Sequence, residues 1–264
     1  MGGLDRRQVL LTAAAGAVGL LAGAGPVIVR AVQPDTRPKK LRARTTAAHR
    51  PPPDPGYAKG PIQALQRPVH GLKDLSPPAP AMAVALTIDD GPHPTWTPKM
   101  LDLLAEFKVS ATFSLIGEQV TEFPQLVKRI VAAGHQVSDH TMTHPLNLPG
   151  MGSDKIKQEI GEAHDRIAQA TGVAPKFFRS PGGAWSSQVI DTAAEHGMIN
   201  IDWAVDPRDW ARPGTSHITE TLLAAKPGDI LLCHDGGGDR SETIEALRTV
   251  IPTLQKRGLM FVAL

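Results

Sequence analysis

The chain is nearly devoid of cysteine. Cys233 is the only one in 264 residues, so no disulfide can form within the chain and a four-cysteine zinc site is excluded. Any metal must be held by histidine and carboxylate, and Cys233 reads as a small buried apolar residue in a strand. Glycine-rich phosphate loops are missing too. No GxGxxG or P-loop sequence follows the first strand pattern, which argues against the nucleotide-binding variants of an α/β sheet. Nor is there a G-x-S-x-G nucleophile elbow, which disfavours a serine esterase.

One uncharged run stands apart. It extends from Val9 to Val29, directly after Asp5-Arg6-Arg7-Gln8. A positive start followed by a weakly apolar, Ala- and Gly-rich stretch reads as an export signal over residues 1–30. The paired arginines resemble a bacterial twin-arginine signal, although Asp5 stands where Ser or Thr is usual. At roughly 20 residues the run is long enough to span a bilayer, but its small residues favour weak retention in lipid. Ala22-Gly23-Ala24 offers a cleavage site. The mature chain is expected outside the cell or in its envelope, with no stable membrane span.

Residues 31–80 read as a basic, proline-rich linker. Pro51-Pro52-Pro53, Pro55, Pro61, Pro77, Pro78 and Pro80 would interrupt a helix or a central strand and favour an extended spacer. From Arg30 to Lys73 there are ten Lys/Arg against two acids, whereas from Asp74 onward there are 16 against 23. The near-neutral total of +2 therefore hides a basic arm ahead of an acidic globular part. Its positive charge suits an anionic cell wall. No nucleic-acid partner is expected, and the pattern carries no signal of oligomeric state.

Residues 81–264 read as one domain of alternating strands and helices. Strands are predicted at 83–88, 111–116, 135–139, 176–180, 198–205, 229–234 and 259–264. Between them fall helices: one from Thr97-Pro98 toward Lys108, then 121–133, 153–170, 187–196, 216–225 and 241–256. Glycines 134, 172, 197 and 258 close four of them. Strict β-α alternation points to a parallel sheet covered by helices. The expectation is α/β: a distorted seven-stranded (β/α) barrel, one unit short of the common eight.

The chemistry-bearing residues cluster just after strand ends: Asp89-Asp90, His140 and His144, Arg179, Asp206 and Asp209, and His234-Asp235. The carboxyl ends of parallel barrel strands share one mouth, where distant segments converge. His140-Thr141-Met142-Thr143-His144 places two imidazoles where they can chelate one metal, and a carboxylate from Asp89-Asp90 would complete a set with open positions for water and substrate. Zinc and Fe(II) both suit such ligands. Neighbouring aspartates diverge, so one can bind metal while the other faces the water as base. His234 sits where it can pass a proton to a leaving amine. A strand-end Arg179 beside carboxylates reads as a clamp for one of them.

These segments resemble the polysaccharide deacetylase family with the NodB homology domain, carbohydrate esterase family 4. Five motifs stand in the family's order. They are Thr87-Ile88-Asp89-Asp90-Gly91-Pro92, His140 through Pro145, Arg179-Ser180-Pro181-Gly182-Gly183, Asp209-Trp210, and Leu232-Cys233-His234-Asp235.

The resemblance implies a NodB-like distorted barrel that hydrolyses acetyl groups from an N-acetylated polysaccharide with a divalent metal. Zinc is the default; Co2+, Ni2+ or Fe2+ fit the same ligands. By carry-over Asp89 is the base, Asp90, His140 and His144 hold the metal, Arg179 orients Asp89, and Asp209 tunes His234 as the acid. Pro181, Gly182, Trp210 and Leu232 border the substrate, the last two around the acetyl methyl. Gly182 departs from the Tyr common in the family; it keeps the backbone N–H for an oxyanion but loses an aromatic wall, and Trp185 nearby reads equally as its replacement or as a packing residue. Peptidoglycan, chitin-type oligomers and acetylxylan are the substrates considered. The rival readings are an amidase or deaminase of small C–N compounds on the same barrel, and a wall-binding protein without catalysis.

Overall fold

The computed structural model of the chain describes residues 60–61 and 67–264. The expected export signal over residues 1–30, with its paired arginines, and most of the expected basic linker lie outside the described residues. No helix within them is long and apolar enough to cross a membrane.

Nine strands are present among the described residues. Two short ones, β1 (Gly60–Pro61) and β2 (Leu75–Ser76), pair antiparallel. The rest form one parallel sheet. Its members are β3 (Ala83–Gly91), β4 (Thr112–Leu115), β5 (Gln136–Asp139), β6 (Phe177–Phe178), β7 (Ile199–Asn200), β8 (Ile230–His234) and β9 (Met260–Val262). Six follow the order β7-β6-β5-β4-β3-β8, and β9 pairs with the start of β3. The sheet curls until its two edges are linked by the chain that leaves β7, because Val205 bridges Leu231 of β8 in parallel. The expected seven-stranded, distorted barrel is what forms.

Period-two alternation decides which side chains enter the barrel. On β3 the even positions Val84, Leu86 and Ile88 join the apolar core that the surrounding helices cover, as do Leu231 and Cys233 of β8. The odd positions face the other way. Ala83 and Ala85 pack with Ile230, Phe177 and Ile201 in a second apolar cluster, and Thr87 and Asp89 continue the same row toward the carboxyl end. Cys233 is wholly buried and unpaired, as its sequence setting suggests. Each fully buried Leu or Ile of this kind contributes about 1.5–3 kcal/mol.

The helices are α1 (Trp96–Phe107), α2 (Gly117–Glu122), α3 (Pro124–Ala132), α4 (Ser153–Thr171), α5 (Ser187–Glu195), α6 (Thr215–Leu223) and α7 (Ser241–Lys256). The single helix expected over 121–133 is two. Pro124 has no N–H to donate and keeps Phe123 out of helical geometry (φ −123°, ψ 54°), so α2 stops and α3 begins there. Gly172 closes α4 with φ 78°, the left-handed turn that glycine adopts without strain.

The folded part also begins earlier than residue 81. Val69, Leu72 and Leu75, placed in the linker by their proline-rich surroundings, are buried in the second apolar cluster. Val69 bridges Ile201, and Gly71 bridges Asp229 at the start of β8. The apolar side chains of this segment fill the amino end of the barrel, and that burial outweighs the local proline content.

Candidate active site

At the carboxyl end of the strands, β3 carries Asp89 and Asp90. Asp89 is in register with His234 on β8 and with Ser114 on β4, so the first and last catalytic candidates are neighbours across one ladder. Past Asp89 the ladder to β4 shifts register, and Asp90 takes φ 74°. A non-glycine residue at positive φ is costly. Here it turns adjacent carboxylates toward different partners.

Arg179 is wholly buried. Its Nη1 donates to Asp89 Oδ1 and to Thr87 Oγ1, both at 2.8 Å, and its Nη2 donates to the Asp202 carbonyl at 2.9 Å. The Thr87 hydroxyl donates in turn to the Leu231 carbonyl at 2.6 Å. One carboxylate oxygen of Asp89 is thus fixed by a charge-assisted bond, while Oδ2 lies 3.8 Å from His140 Nε2.

Asp90 faces the two histidines. Its Oδ1 is 3.2 Å from His144 Nε2 and 3.5 Å from His140 Nε2. The three side chains each offer a ligand atom, all within 4.8 Å of one another. His140 Nδ1 lies 2.8 Å from the Arg179 carbonyl; that oxygen accepts only a proton, so the Nε2 lone pair is left for a cation.

The Asp90 Oδ1 atom is buried with no hydrogen-bond partner. An unpartnered buried carboxylate oxygen is expensive, and a divalent cation between it and two imidazole nitrogens removes the cost. The residues present fit a metal.

His234 sits opposite. Its Nδ1 is 2.6 Å from Asp209 Oδ1. The second Asp209 oxygen accepts the His234 backbone N–H at 2.9 Å and the Thr243 hydroxyl of α7 at 2.8 Å. Burial would lower the His234 pKa, but the bond to Asp209 and the charges of Asp209, Asp90 and Asp89 prevail and lift it to about 9. For Asp209 burial acts upward, and the His234 and Thr243 bonds win, lowering its pKa.

The substrate-side candidates are distributed around this mouth. Leu232 shares the inward face of β8 with His234 and is buried. Trp210 is 48 % exposed, on a short turn beginning at Asp209, with the Arg208 guanidinium 4.9 Å from its ring. Pro181 is buried and Gly182 exposed; Gly182 has φ 62°. Trp185 is committed to packing: it stands edge-on to Phe178 and its indole N–H donates to Asp202 Oδ2 at 3.0 Å. Asp206 accepts the Arg208 N–H, a turn contact apart from the Asp209–His234 pair.

Sequence reasoning named Thr87 and Asp235 within motifs without giving either a role, and passed over Thr243 and Asp202. The role of Thr87 was findable, since two residues before Asp89 on a strand is the same face. Asp235 is wholly buried and accepts the Thr97 hydroxyl at 2.5 Å; burial, chiefly, pushes its pKa up to about 7.

Comparison with known proteins places this geometry. Residues 76–201 match the sequence profile of the polysaccharide deacetylase family. A chitooligosaccharide deacetylase of Sinorhizobium fredii is 43% identical over 192 residues, which cover 68% of this chain and 89% of the relative. A peptidoglycan-N-acetylglucosamine deacetylase of Bacillus cereus is 42% identical over 182 residues, covering 68% and 84%. Among solved structures, a peptidoglycan N-acetylglucosamine deacetylase in complex with 4-naphthalen-1-yl-N-oxidanyl-benzamide superposes with a TM-score of 0.70 at 35% identity, over 75% of this chain and 91% of that one.

Proposed function

The chain belongs to the polysaccharide deacetylase family and is a hydrolase of amide-linked acetyl groups, and from that premise we propose that it removes acetyl from N-acetylglucosamine units of an exported glycan, peptidoglycan or a chitin-type oligomer. The single observation that carries the reading is the pairing of an orphaned Asp90 oxygen with two imidazole nitrogens, flanked by an Arg-held aspartate on one side and an Asp-held histidine on the other.

The metal would be held by Asp90, His140 and His144, with zinc the default for two imidazoles and a carboxylate. When bound it supplies a Lewis acid for the acetyl carbonyl and acidifies a water. The chain's own residues do the rest. Arg179 holds Asp89 by Oδ1 and aims it, so that its other oxygen takes the proton of the attacking water. The Gly182 N–H donates to the oxygen that gains charge; a donor of this kind is worth about 10²–10³ in rate. His234, protonated at neutral pH, delivers a proton to the departing nitrogen. Asp209 holds the ring at Nδ1, so Nε2 carries the proton that is transferred, and its charge stabilises the imidazolium. Leu232 and Trp210 bracket the acetyl methyl. Pro181 fixes the turn that presents Gly182.

Export through the twin-arginine-like start would bring the enzyme to such a glycan. Its basic segment suits an anionic wall. Mass spectrometry of defined substrates tests the assignment. Loss of acetyl from N-acetylglucosamine oligomers or peptidoglycan fragments is expected. Release of ammonia from small amides, or binding of glycan without acetate release, would refute it in favour of the two rival readings.

A further inference from the structure

The loop that carries both histidines is unusually constrained. Thr141 has φ 68° and His144 φ 62°, and each such residue costs roughly 1–2 kcal/mol outside glycine. Conformations of this kind persist only where surrounding contacts over-determine them. The contacts are all present. The Thr141 N–H donates to Asp139 Oδ1 at 2.8 Å, and the His144 N–H to Thr141 Oγ1 at 3.1 Å. Carbonyls 141 and 142 accept the N–H groups of Gly117 and Glu118, each at 3.0 Å. Gly117 makes that approach close, since a Cβ there would stand 3.2 Å from the backbone Cα atoms of both Met142 and Ala163.

The two remaining amides go to one residue of α4. The Met142 N–H donates to the Glu159 carbonyl at 2.8 Å. Thr143 donates its N–H to Glu159 Oε2 at 2.8 Å and its hydroxyl to Oε1 at 2.7 Å. Glu159 is only 8% exposed, and among the described residues no Lys or Arg forms an ion pair with it. Burying an unpaired carboxylate is costly, so Thr143 is its compensation.

We propose that Glu159 is a positioning residue of the metal centre: by gripping the 142–143 backbone from α4 it fixes the His140 and His144 imidazoles against Asp90. This rests on the metal reading above. Groups that orient metal ligands typically contribute about 10–100-fold in metal affinity.

The test is Zn2+ titration of the metal-stripped full chain against a chromophoric chelator, with urea unfolding of each metal-free protein alongside. Glu159→Gln loses one acceptor oxygen; Thr143→Val, on an exposed side chain, loses only the hydroxyl and leaves the Glu159 charge intact; Thr143→Ser restores the hydroxyl. The first two are expected to bind Zn2+ about 10–100-fold more weakly, with Thr143→Ser matching wild type. Should Glu159→Gln fail to fold, the Thr143 pair carries the test alone. Wild-type affinity in Thr143→Val, or an equal loss in Thr143→Ser, overturns the proposal. So does a loss of affinity that only tracks a loss of metal-free stability. If the wild-type chain itself binds no Zn2+, the metal reading falls and takes this one with it.

Discussion

Replacing Asp209 by asparagine removes the charge that holds His234 protonated while keeping the side chain's shape. In the wild type the imidazole is lifted from 6.5 to about 9, a preference for the charged form of about 3 kcal/mol. Burial opposes that shift, so once the Asp209 bond and charge are gone the group should return at least to its ordinary range. The acid form exists below the pKa. Wild-type kcat/KM should therefore hold up to about pH 9 and fall above it, whereas the variant should begin to fall near pH 6.5. At pH 8 the fraction protonated drops from about 90% to about 3%, a loss of roughly 30-fold from titration alone, smaller than the 10²–10⁴ that a general acid contributes in total. The assay is acetate release from an N-acetylglucosamine oligomer as a function of pH. The pair has a stability signature as well. The raised His234 pKa gives stabilisation fully present below about 6.5 and lost as pH rises through about 9, and the lowered Asp209 pKa gives stabilisation lost as pH falls through that lower value. An alkaline limb in Asp209→Asn that overlays the wild type would refute the assignment of His234 as the acid.

Two further substitutions probe the other side of the site. Arg179→Met leaves Asp89 buried without its guanidinium, and removing one partner of a buried ion pair costs about 3–5 kcal/mol; urea unfolding should show this, and an unchanged midpoint would contradict the clamp. Gly236→Ala would set a Cβ 2.1 Å from the Asp90 carbonyl oxygen, a backbone contact that cannot give way without moving Asp90. Displacement of a ligand by about 1 Å is expected to cost about 10²-fold in activity, and wild-type turnover in this variant would remove the argument.

How much of this was legible beforehand follows from where the residues lie. The polar residues that end β3, β6 and β8 were readable because they break apolar runs at Ile88, Phe178 and Cys233, His140 and His144 by their spacing after β5, and the parallel alternation of strands and helices fixes their common end. The α2–α3 break was hidden because the apolar periodicity runs on past Pro124. Val69, Leu72 and Leu75 were hidden by the prolines around them. Glu159 was missed as an ordinary helix charge, yet it lies three residues after Ile156 and four before Ala163, on the stripe those residues bury. Thr243 likewise shares the buried face of α7 with Leu247, Val250 and Leu254. A polar residue on an apolar helical stripe is the signal that would have found both. Asp202 gave none, since its carbonyl rather than its side chain meets Arg179.

The cation at Asp90, His140 and His144 is the hinge of the whole account. Acetate release by the chain stripped with a chelator, then supplied with one equivalent of Zn2+, measures it directly. Activity should vanish on stripping and return on addition in the wild type, and do neither in Asp90→Ala, which folds but stays inactive. Full turnover by the stripped protein would contradict the account.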